Sequence, residues 1–214
     1  MKLVCISDTH NKFDYKNLPE GDVLIHAGDL TMNGTLAEVA KELNLIRQTP
    51  YLHKVIIPGN HDFLFENDRG LASGLLKDSG ITYLEDSGCE INGVKFYGMP
   101  WVPGLPRWAF SNRRVDWPGK LKQIPDDTDV LITHAPAWFV RDYVRPSESR
   151  DGIGINLGSK KLLARVNEIN PKVHVCGHIH DSSGVIKLYK TIRVNAAICD
   201  ESYQPTNPPR IIEI

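Results

Sequence analysis

Five short motifs of Asp, Asn and His side chains are the residues of this chain best suited to chemistry. Each follows a run of apolar, strand-like residues. The motifs are Asp8-Thr9-His10, Gly28-Asp29, Gly59-Asn60-His61-Asp62, Thr133-His134 and Gly177-His178-Ile179-His180. Because neighbouring parallel strands lie about 5 Å apart, side chains at their carboxyl ends converge even when they are distant in sequence. Carboxylate, amide and imidazole groups bind divalent cations, so the motifs predict a metal site.

Seven side chains in these motifs are the candidate ligands of divalent cations: Asp8, His10, Asp29, Asn60, His134, His178 and His180. Asp29 is a lone carboxylate after a glycine, which favours it as a bridge between two cations. Two cations about 3.5–4 Å apart would activate a water molecule and offset the charge on phosphoryl oxygens. Because the set holds only two carboxylates, the site keeps a net positive charge that attracts phosphate. The pattern therefore predicts hydrolysis of a phosphate ester.

His61 follows a ligand in the sequence but is not needed as one. We expect it to face the substrate, where it would protonate the leaving oxygen or stabilise charge in the transition state. Asp62 is expected to orient this segment through hydrogen bonds. His26 and His174 lie inside apolar strands, and strand alternation predicts that both point away from the ligands. These two are interpreted as structural histidines.

Trp101 and Trp108 lie in a Pro- and Trp-rich segment, residues 100–118, that shows no clear periodicity. One interpretation makes them walls of a substrate cleft, with their rings stacking on a base. The other makes them part of a loop folded over the core, and the sequence favours neither. Residues 141–156 are equally open between a lid over the site and a plain surface loop.

The elements that must position these groups alternate between strand and helix in the first third of the chain. Strands that end at the motifs are predicted at 3–7, 22–26, 54–57, 129–133 and 172–176. A helix is predicted to begin at the capping box of Thr35 and Glu38, and further helices cover 68–79 and 159–169. Later strands form hairpins, the clearest at Asn92-Gly93. This arrangement predicts a mixed α/β fold.

Size and composition narrow the class of protein. The 214 residues fit one domain, 1–214, that buries roughly 70% of its unfolded surface. A net charge of −1 predicts no general affinity for long nucleic acid or anionic membranes. A membrane span needs about 20 apolar residues, and no apolar stretch of the sequence approaches that length. The four cysteines are interpreted as structural thiols in a reducing compartment, by default the cytoplasm; a thiol ligand or disulfide is the alternative. Nothing in the sequence assigns an oligomeric state.

Together the five motifs resemble those of the calcineurin-like metallophosphoesterase superfamily. Cys5 to His10, Pro100-Trp101, Trp108 to Phe110 and Gln204 to Pro209 resemble its branch called metallophosphoesterase-domain-containing proteins. The resemblance implies a four-layer α/β/β/α sandwich, two sheets flanked by helices, with His61 as the catalytic histidine. It implies one metal on Asp8, His10, Asp29 and His180, and a second on Asp29, Asn60, His134 and His178.

The resulting prediction is a dinuclear metal-dependent phosphodiesterase in which a metal-bridging hydroxide attacks the phosphodiester. The resemblance, which extends to class III cyclic-nucleotide phosphodiesterases, implies a cyclic or other nucleotide as the small substrate. Mn²⁺ is the activating ion we expect, and Fe²⁺, Zn²⁺ or Co²⁺ suit the same nitrogen and oxygen donors. The alternatives are a phosphomonoesterase or nuclease of the same superfamily and a non-catalytic interaction module.

Overall fold

The computed structural model describes residues 1–146 and 153–214. In chain order the strands are β1 (Lys2–Ile6), β2 (Val23–Ala27), β3 (His53–Ile57), β4 (Thr82–Tyr83), β5 (Ser87–Ile91), β6 (Val94–Met99), β7 (Val130–Thr133), β8 (Tyr143–Val144), β9 (Ile155–Asn156), β10 (Val173–Cys176), β11 (Gly184–Leu188), β12 (Thr191–Asn195) and β13 (Arg210–Glu213). The α-helices are α1 (Leu36–Arg47), α2 (Phe63–Asn67), α3 (Arg69–Leu76), α4 (Trp117–Lys122) and α5 (Lys160–Ile169).

Two sheets position the motifs. The first has the order β13-β1-β2-β3-β4, parallel from β1 to β4 and antiparallel at β13. The second has the order β11-β12-β10-β7-β6-β5, parallel from β12 to β6 and antiparallel at both edges. Parallel strands point the same way, so their carboxyl ends meet at one edge of each sheet. Strands β1, β2 and β3 deliver three motifs there, and β7 and β10 deliver the other two.

The core follows from the two-residue alternation of the strands. Leu3 and Cys5 of β1 are buried in the same cluster as Val130 of β7, between the two sheets. Val4 and Ile6 point the other way, into the cluster under the helices. One face of each sheet therefore fills the sandwich interior, and the other packs under helices. Each aliphatic side chain buried in this way contributes about 1.5–3 kcal/mol.

Helices cover the outer faces of the sheets. Helix α1 begins at the predicted capping box, in which Thr35 accepts from the Glu38 amide and the Glu38 carboxylate accepts from the Thr35 amide. Its apolar face enters the outer cluster through Val39 and Leu43. Helix α5 enters it through Leu162 and Val166. The predicted mixed α/β fold, with two sheets flanked by helices, is confirmed.

The helices differ from the sequence-based expectation in three places. The helix expected over 68–79 is shorter: α3 begins after its cap Asp68, which accepts from the Leu71 amide, and it ends at Leu76. The short helix α2 that precedes it was not predicted. Helix α4, which begins at the end of the Pro- and Trp-rich segment, was also missed. Its Pro118 lies in the first turn, where the absent amide proton costs nothing.

The segment 141–156 is described only in part. Tyr143–Val144 and Ile155–Asn156 pair as a short antiparallel ribbon, and 147–152 lie outside the described residues. The choice between a lid and a surface loop therefore stays a prediction. Within the described part of the chain, no helix has the length and apolar character to cross a membrane. The four cysteines are free thiols.

Candidate metal centre

Sharp backbone turns at the strand ends direct the motif side chains toward one another. Four of these residues have left-handed backbones: Asp8 (φ 51°), His10 (44°), Asp29 (54°) and His178 (68°). Such conformations cost roughly 1–3 kcal/mol each outside glycine and persist where the surrounding structure imposes them. Asp, Asn and His tolerate them better than most residues. Four of the seven predicted ligands therefore lie on strained backbone.

Three of the predicted ligands follow a glycine, and at each of these glycines a Cβ atom would not fit. A Cβ at Gly28 would lie 2.5 Å from His134 Nδ1, and one at Gly59 would lie 2.2 Å from Asp29 Oδ1. At Gly177 it would lie 2.2 Å from Asp8 Oδ2. Real Cβ contacts are essentially never this short, so each Gly-Asp, Gly-Asn or Gly-His pair allows the backbone of one strand end to approach the ligand of another.

Two groups of donor atoms form at the edge where the sheets meet. Asp8, His10 and His180 form the first group, and Asp29, His134 and His178 form the second; within each, the donor atoms lie within 4.8 Å of one another. A third combination, His10 with Asp29 and His61, meets the same limit. All six charged or imidazole residues predicted as ligands are thus brought together.

Asp29 and Asn60 complete the arrangement. Asp29 Oδ2 lies 3.9 Å from His10 Nε2 and 3.3 Å from His134 Nε2, so one oxygen reaches both groups. The other oxygen, Oδ1, accepts from the His61 amide at 2.8 Å, which fixes the carboxylate. Asn60 Oδ1 lies 3.1 Å from His134 Nε2 in the second group. The geometry places Asp29 where a bridging ligand would stand.

Backbone carbonyls orient three of the imidazoles. Nδ1 of each ring donates to a carbonyl oxygen: His10 to Thr31 (3.1 Å), His134 to Ala27 (2.8 Å) and His180 to Asp200 (2.8 Å). A proton fixed on Nδ1 leaves the lone pair of Nε2 directed into the centre. This second layer of contacts is the usual way in which proteins orient histidine ligands.

The donor set fits divalent cations on its own chemistry. With Nδ1 protonated, His10 Nε2 and His180 Nε2 both present lone pairs at 3.3 Å, and His134 Nε2 faces the Asn60 oxygen at 3.1 Å. Two acceptors at such distances repel unless a proton or a cation lies between them. All donors are nitrogen or oxygen and no thiolate is among them, which suits Mn²⁺, Fe²⁺, Zn²⁺ or Co²⁺.

Without a cation, the carboxylates and imidazoles stabilise each other as ion pairs. Burial raises the pKa of Asp8, but the hydrogen bond and charge of His180 outweigh it and hold that pKa well below its usual range. Burial lowers the pKa of His134, but the charge and hydrogen bond of Asp29 outweigh it and raise that pKa to about 9. His180 behaves likewise against Asp8, and its pKa is also about 9. A metal ion would take over this charge compensation.

Asp62 joins two ligand loops, as its sequence position led us to expect. Its Oδ1 accepts from the Thr31 amide (3.0 Å) and hydroxyl (2.7 Å), and its Oδ2 accepts from the amides of Leu30 (3.2 Å) and Gly59 (2.8 Å). The residue is fully buried. Burial and the charge of Asp29 raise the pKa of Asp62 to about 6. The loops that carry Asp29 and His61 are therefore held together by one carboxylate.

His61 lies at the mouth of the centre beside an aromatic pocket. Its Nδ1 donates to the Met32 carbonyl at 2.7 Å, and its ring lies 4.4 Å from the Trp108 ring. The pocket has a volume of about 570 Å³ and is lined by Met32, Asn33, His61, Phe63, Arg107, Trp108 and Tyr203. Of residues 100–118, Arg107 and Trp108 thus line the candidate cleft.

Tyr203 was missed by the sequence reasoning. Its ring stands edge-on to His10 at 4.8 Å and near His180 at 5.6 Å. Asp200 holds this loop, because its Oδ1 accepts from the amides of Ser202 and Gln204, while its carbonyl orients His180. The available signal was the family-like run that begins at Gln204, one residue later.

Trp101 lies in the packed interior and not in the pocket. It is 6% exposed, its ring meets Phe110 at 5.7 Å, and its indole N–H donates to Asp86 at 2.9 Å. Trp101 is thus packed into the core, whereas Trp108 lines the pocket; that Trp108 contacts a substrate stays a prediction.

His26 and His174 lie outside both donor groups, as strand alternation predicts. Nε2 of His26 pairs with the Thr9 hydroxyl and Nε2 of His174 with the Thr133 hydroxyl, both at 2.9 Å. Burial lowers the pKa of each to about 3, so both are neutral structural histidines.

Comparison with known proteins shows the family to which this chain belongs. A family model described as calcineurin-like phosphoesterase matches residues 1–182. Metallophosphoesterase domain-containing protein 1 of Homo sapiens is 35% identical over 238 residues, which cover 100% of this chain and 71% of that protein. The chain therefore belongs to the calcineurin-like phosphoesterase family. It is accordingly a metal-dependent phosphoric ester hydrolase.

Solved structures show the same fold. The protein TT1561 of Thermus thermophilus has a TM-score of 0.63 at 13% identity, covering 91% of this chain and 88% of that one. A structure described as a novel archaeal phosphodiesterase has a TM-score of 0.50 at 18% identity, covering 100% of this chain and 93% of that one. At these identities the likeness concerns the fold alone.

Proposed function

We propose that this protein is a dinuclear phosphodiesterase that hydrolyses a small phosphodiester, foremost a cyclic or other nucleotide. The observation that carries the proposal is the position of Asp29 Oδ2, 3.9 Å from His10 Nε2 and 3.3 Å from His134 Nε2. An oxygen that reaches both donor groups supports two ions with a shared ligand. One ion is assigned to Asp8, His10, Asp29 and His180, and the other to Asp29, Asn60, His134 and His178.

Two bound divalent ions, Mn²⁺ first among those considered, would supply an activated water nucleophile and offset the phosphoryl charge. The protein supplies rigid placement of their ligands. Carbonyl contacts fix the imidazoles, and Asp62 fixes the loops around Asp29 and Asn60. Preorganised ligands of this kind avoid reorganisation during the reaction.

His61 is assigned to proton transfer or charge stabilisation at the leaving oxygen. Its Nδ1 is engaged with the Met32 carbonyl, so Nε2 is the atom available to the pocket. As imidazolium, Nε2–H would donate its proton to the leaving oxygen or hydrogen-bond to the charge that develops there. The Trp108 ring packs against the His61 ring, with 4.4 Å between the ring centroids.

The aromatic pocket supports a substrate with a planar group. Trp108 and Tyr203 present aromatic rings next to His61, and Arg107 adds a cation. A volume of about 570 Å³ lies within the usual 300–1,000 Å³ of small-molecule sites. A nucleobase stacked here would place its phosphate toward the histidines. The preference for small substrates over long nucleic acid and the cytoplasmic location stay predictions from composition.

The test compares hydrolysis of bis(p-nitrophenyl) phosphate and p-nitrophenyl phosphate after metal is stripped and Mn²⁺ restored. We expect metal-dependent turnover that favours the diester. The variant His61→Asn should bind two Mn²⁺ and lose about 10²–10⁴-fold in kcat. The control His53→Asn, a histidine outside the site, should behave like the unchanged protein.

Other outcomes assign the other functions. A preference for the monoester would make the protein a phosphomonoesterase, and preferred cleavage of oligonucleotides would make it a nuclease. No turnover of any ester with both ions bound would indicate a non-catalytic module. Full activity of His61→Asn with both ions bound would remove His61 from the mechanism.

A further inference from the structure

A second pocket lies between residues 11–18 and helix α1, and it shares no lining residue with the pocket at His61. Its volume is about 560 Å³. The lining includes Lys12, Lys16 and Lys41, and none of these joins the lysine ion pairs found in 1–146 and 153–214. Asp14 also lines it, but Asp14 Oδ1 accepts from the Lys16 amide. The charged lining is therefore net positive and attracts an anion.

The rest of the lining combines apolar side chains with the polar Asn11, Gln48 and Thr49. Phe13, Leu18 and Leu45 contribute partly buried side chains, and the Phe13 ring meets the buried Tyr15 ring edge-on at 5.2 Å. An apolar wall beside cationic groups suits a ligand that has an apolar or aromatic body and a charged head. A fully hydrated inorganic ion would leave that wall exposed to water.

Two of the lining residues, Asn11 and Tyr15, belong to a buried polar network behind the pocket. Glu42 is only 1% exposed, and its carboxylate accepts from Asn11 Nδ2 at 3.0 Å and from the Tyr15 hydroxyl at 2.8 Å. Burial of a carboxylate costs several kcal/mol unless its partners are well placed. The network holds Asn11 in a left-handed conformation, φ 61°, directly after His10.

The same asparagine connects the pocket to His61. Asn11 Oδ1 accepts from the Met32 amide at 3.0 Å, and the Met32 carbonyl accepts from His61 Nδ1 at 2.7 Å. A ligand that displaces Asn11 would move Met32 and with it the carbonyl that sets the His61 ring. Two hydrogen bonds therefore separate the second pocket from the candidate catalytic residue.

We propose that this pocket binds a small organic anion with an apolar body, and that its occupancy alters turnover through Asn11 and Met32. The charges of Lys12, Lys16 and Lys41 provide the affinity, and the Asn11 side chain provides the coupling. The binding part stands independently of the enzyme's substrate, whereas the regulatory part rests on the proposed phosphodiesterase activity.

Binding is tested with two matched fluorescent probes on the Mn²⁺-loaded protein: anionic 8-anilinonaphthalene-1-sulfonate and uncharged N-phenyl-1-naphthylamine. The triple variant Lys12→Gln/Lys16→Gln/Lys41→Gln should weaken the anionic probe about tenfold and leave the uncharged probe unchanged. The control Lys77→Gln/Lys187→Gln/Lys190→Gln removes the same charge from other exposed positions and should leave both probes unchanged. Equal affinities in the two triple variants would overturn the site. Loss of anionic binding in Trp108→Ala would also overturn it, since the probe would then lie beside His61.

Coupling is tested by the turnover of bis(p-nitrophenyl) phosphate at saturating anionic probe, with the product separated by chromatography. We expect a change of about fivefold or more in kcat for the unchanged protein. Asn11→Gly keeps the left-handed backbone and removes the amide, so it should bind the probe and lose the kcat response. An unchanged kcat in the unsubstituted protein would refute regulation while leaving the binding result intact. A response that persists in Asn11→Gly would refute the route through Asn11.

Discussion

The substitution Asp62→Asn removes one charge from the group that joins two ligand loops and keeps its shape. Oδ1 of Asp62 receives the Thr31 amide and hydroxyl, and Oδ2 receives the amides of Leu30 and Gly59. An asparagine has one acceptor oxygen, so its NH₂ group must face donors on one side. Facing Thr31 is the milder choice, because the hydroxyl there can rotate and only one amide loses its partner.

The expected cost can be worked from these contacts. One buried amide left without an acceptor costs about 1–3 kcal/mol. The hydrogen bonds that remain change from charge-assisted to neutral and become about half as strong. We therefore expect a loss of about 2–4 kcal/mol in the free energy of unfolding. Because Asp62 holds the loops that carry Asp29 and Asn60, the affinity for metal should also fall about 10- to 100-fold.

Two assays on the EDTA-treated protein at pH 7.5 test this prediction. Urea unfolding measures the free energy of unfolding, and calorimetric titration of the folded protein with Mn²⁺ measures the metal affinity. Asp142→Asn is the matched control: Asp142 is 1% exposed and accepts from the amides of Phe139 and Gly158 and from Asn156 Nδ2. It should lose similar stability and keep its Mn²⁺ affinity. A loss under about 0.5 kcal/mol for Asp62→Asn, or equal loss of Mn²⁺ affinity in both variants, would refute the reasoning.

Three further predictions concern the same centre. In the EDTA-treated protein the pKa values of His134 and His180 are about 9, above the ordinary 6.5. The stability that these two groups contribute is therefore complete below pH 6.5 and is lost as the pH rises to about 9. Urea unfolding at three pH values across this range should show the decline in the free energy of unfolding, and a flat profile would contradict it. Tyr203→Ala should raise KM for bis(p-nitrophenyl) phosphate about 3- to 10-fold with little change in kcat. The control Tyr189→Ala, at a side chain that is 95% exposed, should change neither constant. Equal kinetics in the two variants would exclude Tyr203 from the substrate wall. Gly177→Ala places a Cβ 2.2 Å from Oδ2 of the predicted ligand Asp8. It should therefore abolish high-affinity Mn²⁺ binding, which calorimetry measures directly. A normal affinity would show that the loop can move aside.

Most of the fold could be predicted because its signals are local. The capping box at Thr35, the apolar alternation of β1 and the Asn92-Gly93 turn each specify an element without tertiary information. The sequence was less informative where tertiary contacts decide whether an element forms. Helix α4 has a weak local signal, and its burial of Trp117 and Leu121 in the outer cluster is visible only in the fold.

The candidate site was foreseeable to a similar extent. The motifs identify side chains that end strands, and the structure brings the predicted ligands together; that they bind metal stays a prediction. The carbonyls that orient the imidazoles could not be foreseen, because every residue has one and only the fold selects Ala27 and Asp200. Trp101 and Trp108 illustrate the same limit: one indole finds Asp86 in the interior, while the other lies against His61.

The centre draws its donors from both sheets, and this ties metal binding to the assembly of the sandwich. Asp8, Asp29 and Asn60 follow strands of the first sheet, whereas His134 and His178 follow strands of the second. Hydrogen bonds cross the same junction: the His178 amide donates to Asp8, and His134 Nδ1 donates to the Ala27 carbonyl. Cations that bind only this assembled arrangement stabilise the native state by about 2.7 kcal/mol at a concentration one hundred times Kd. Below about pH 9, protons on His134 and His180 lie between the acceptor atoms of the centre and link the two sheets, and bound cations would replace the protons in the same role.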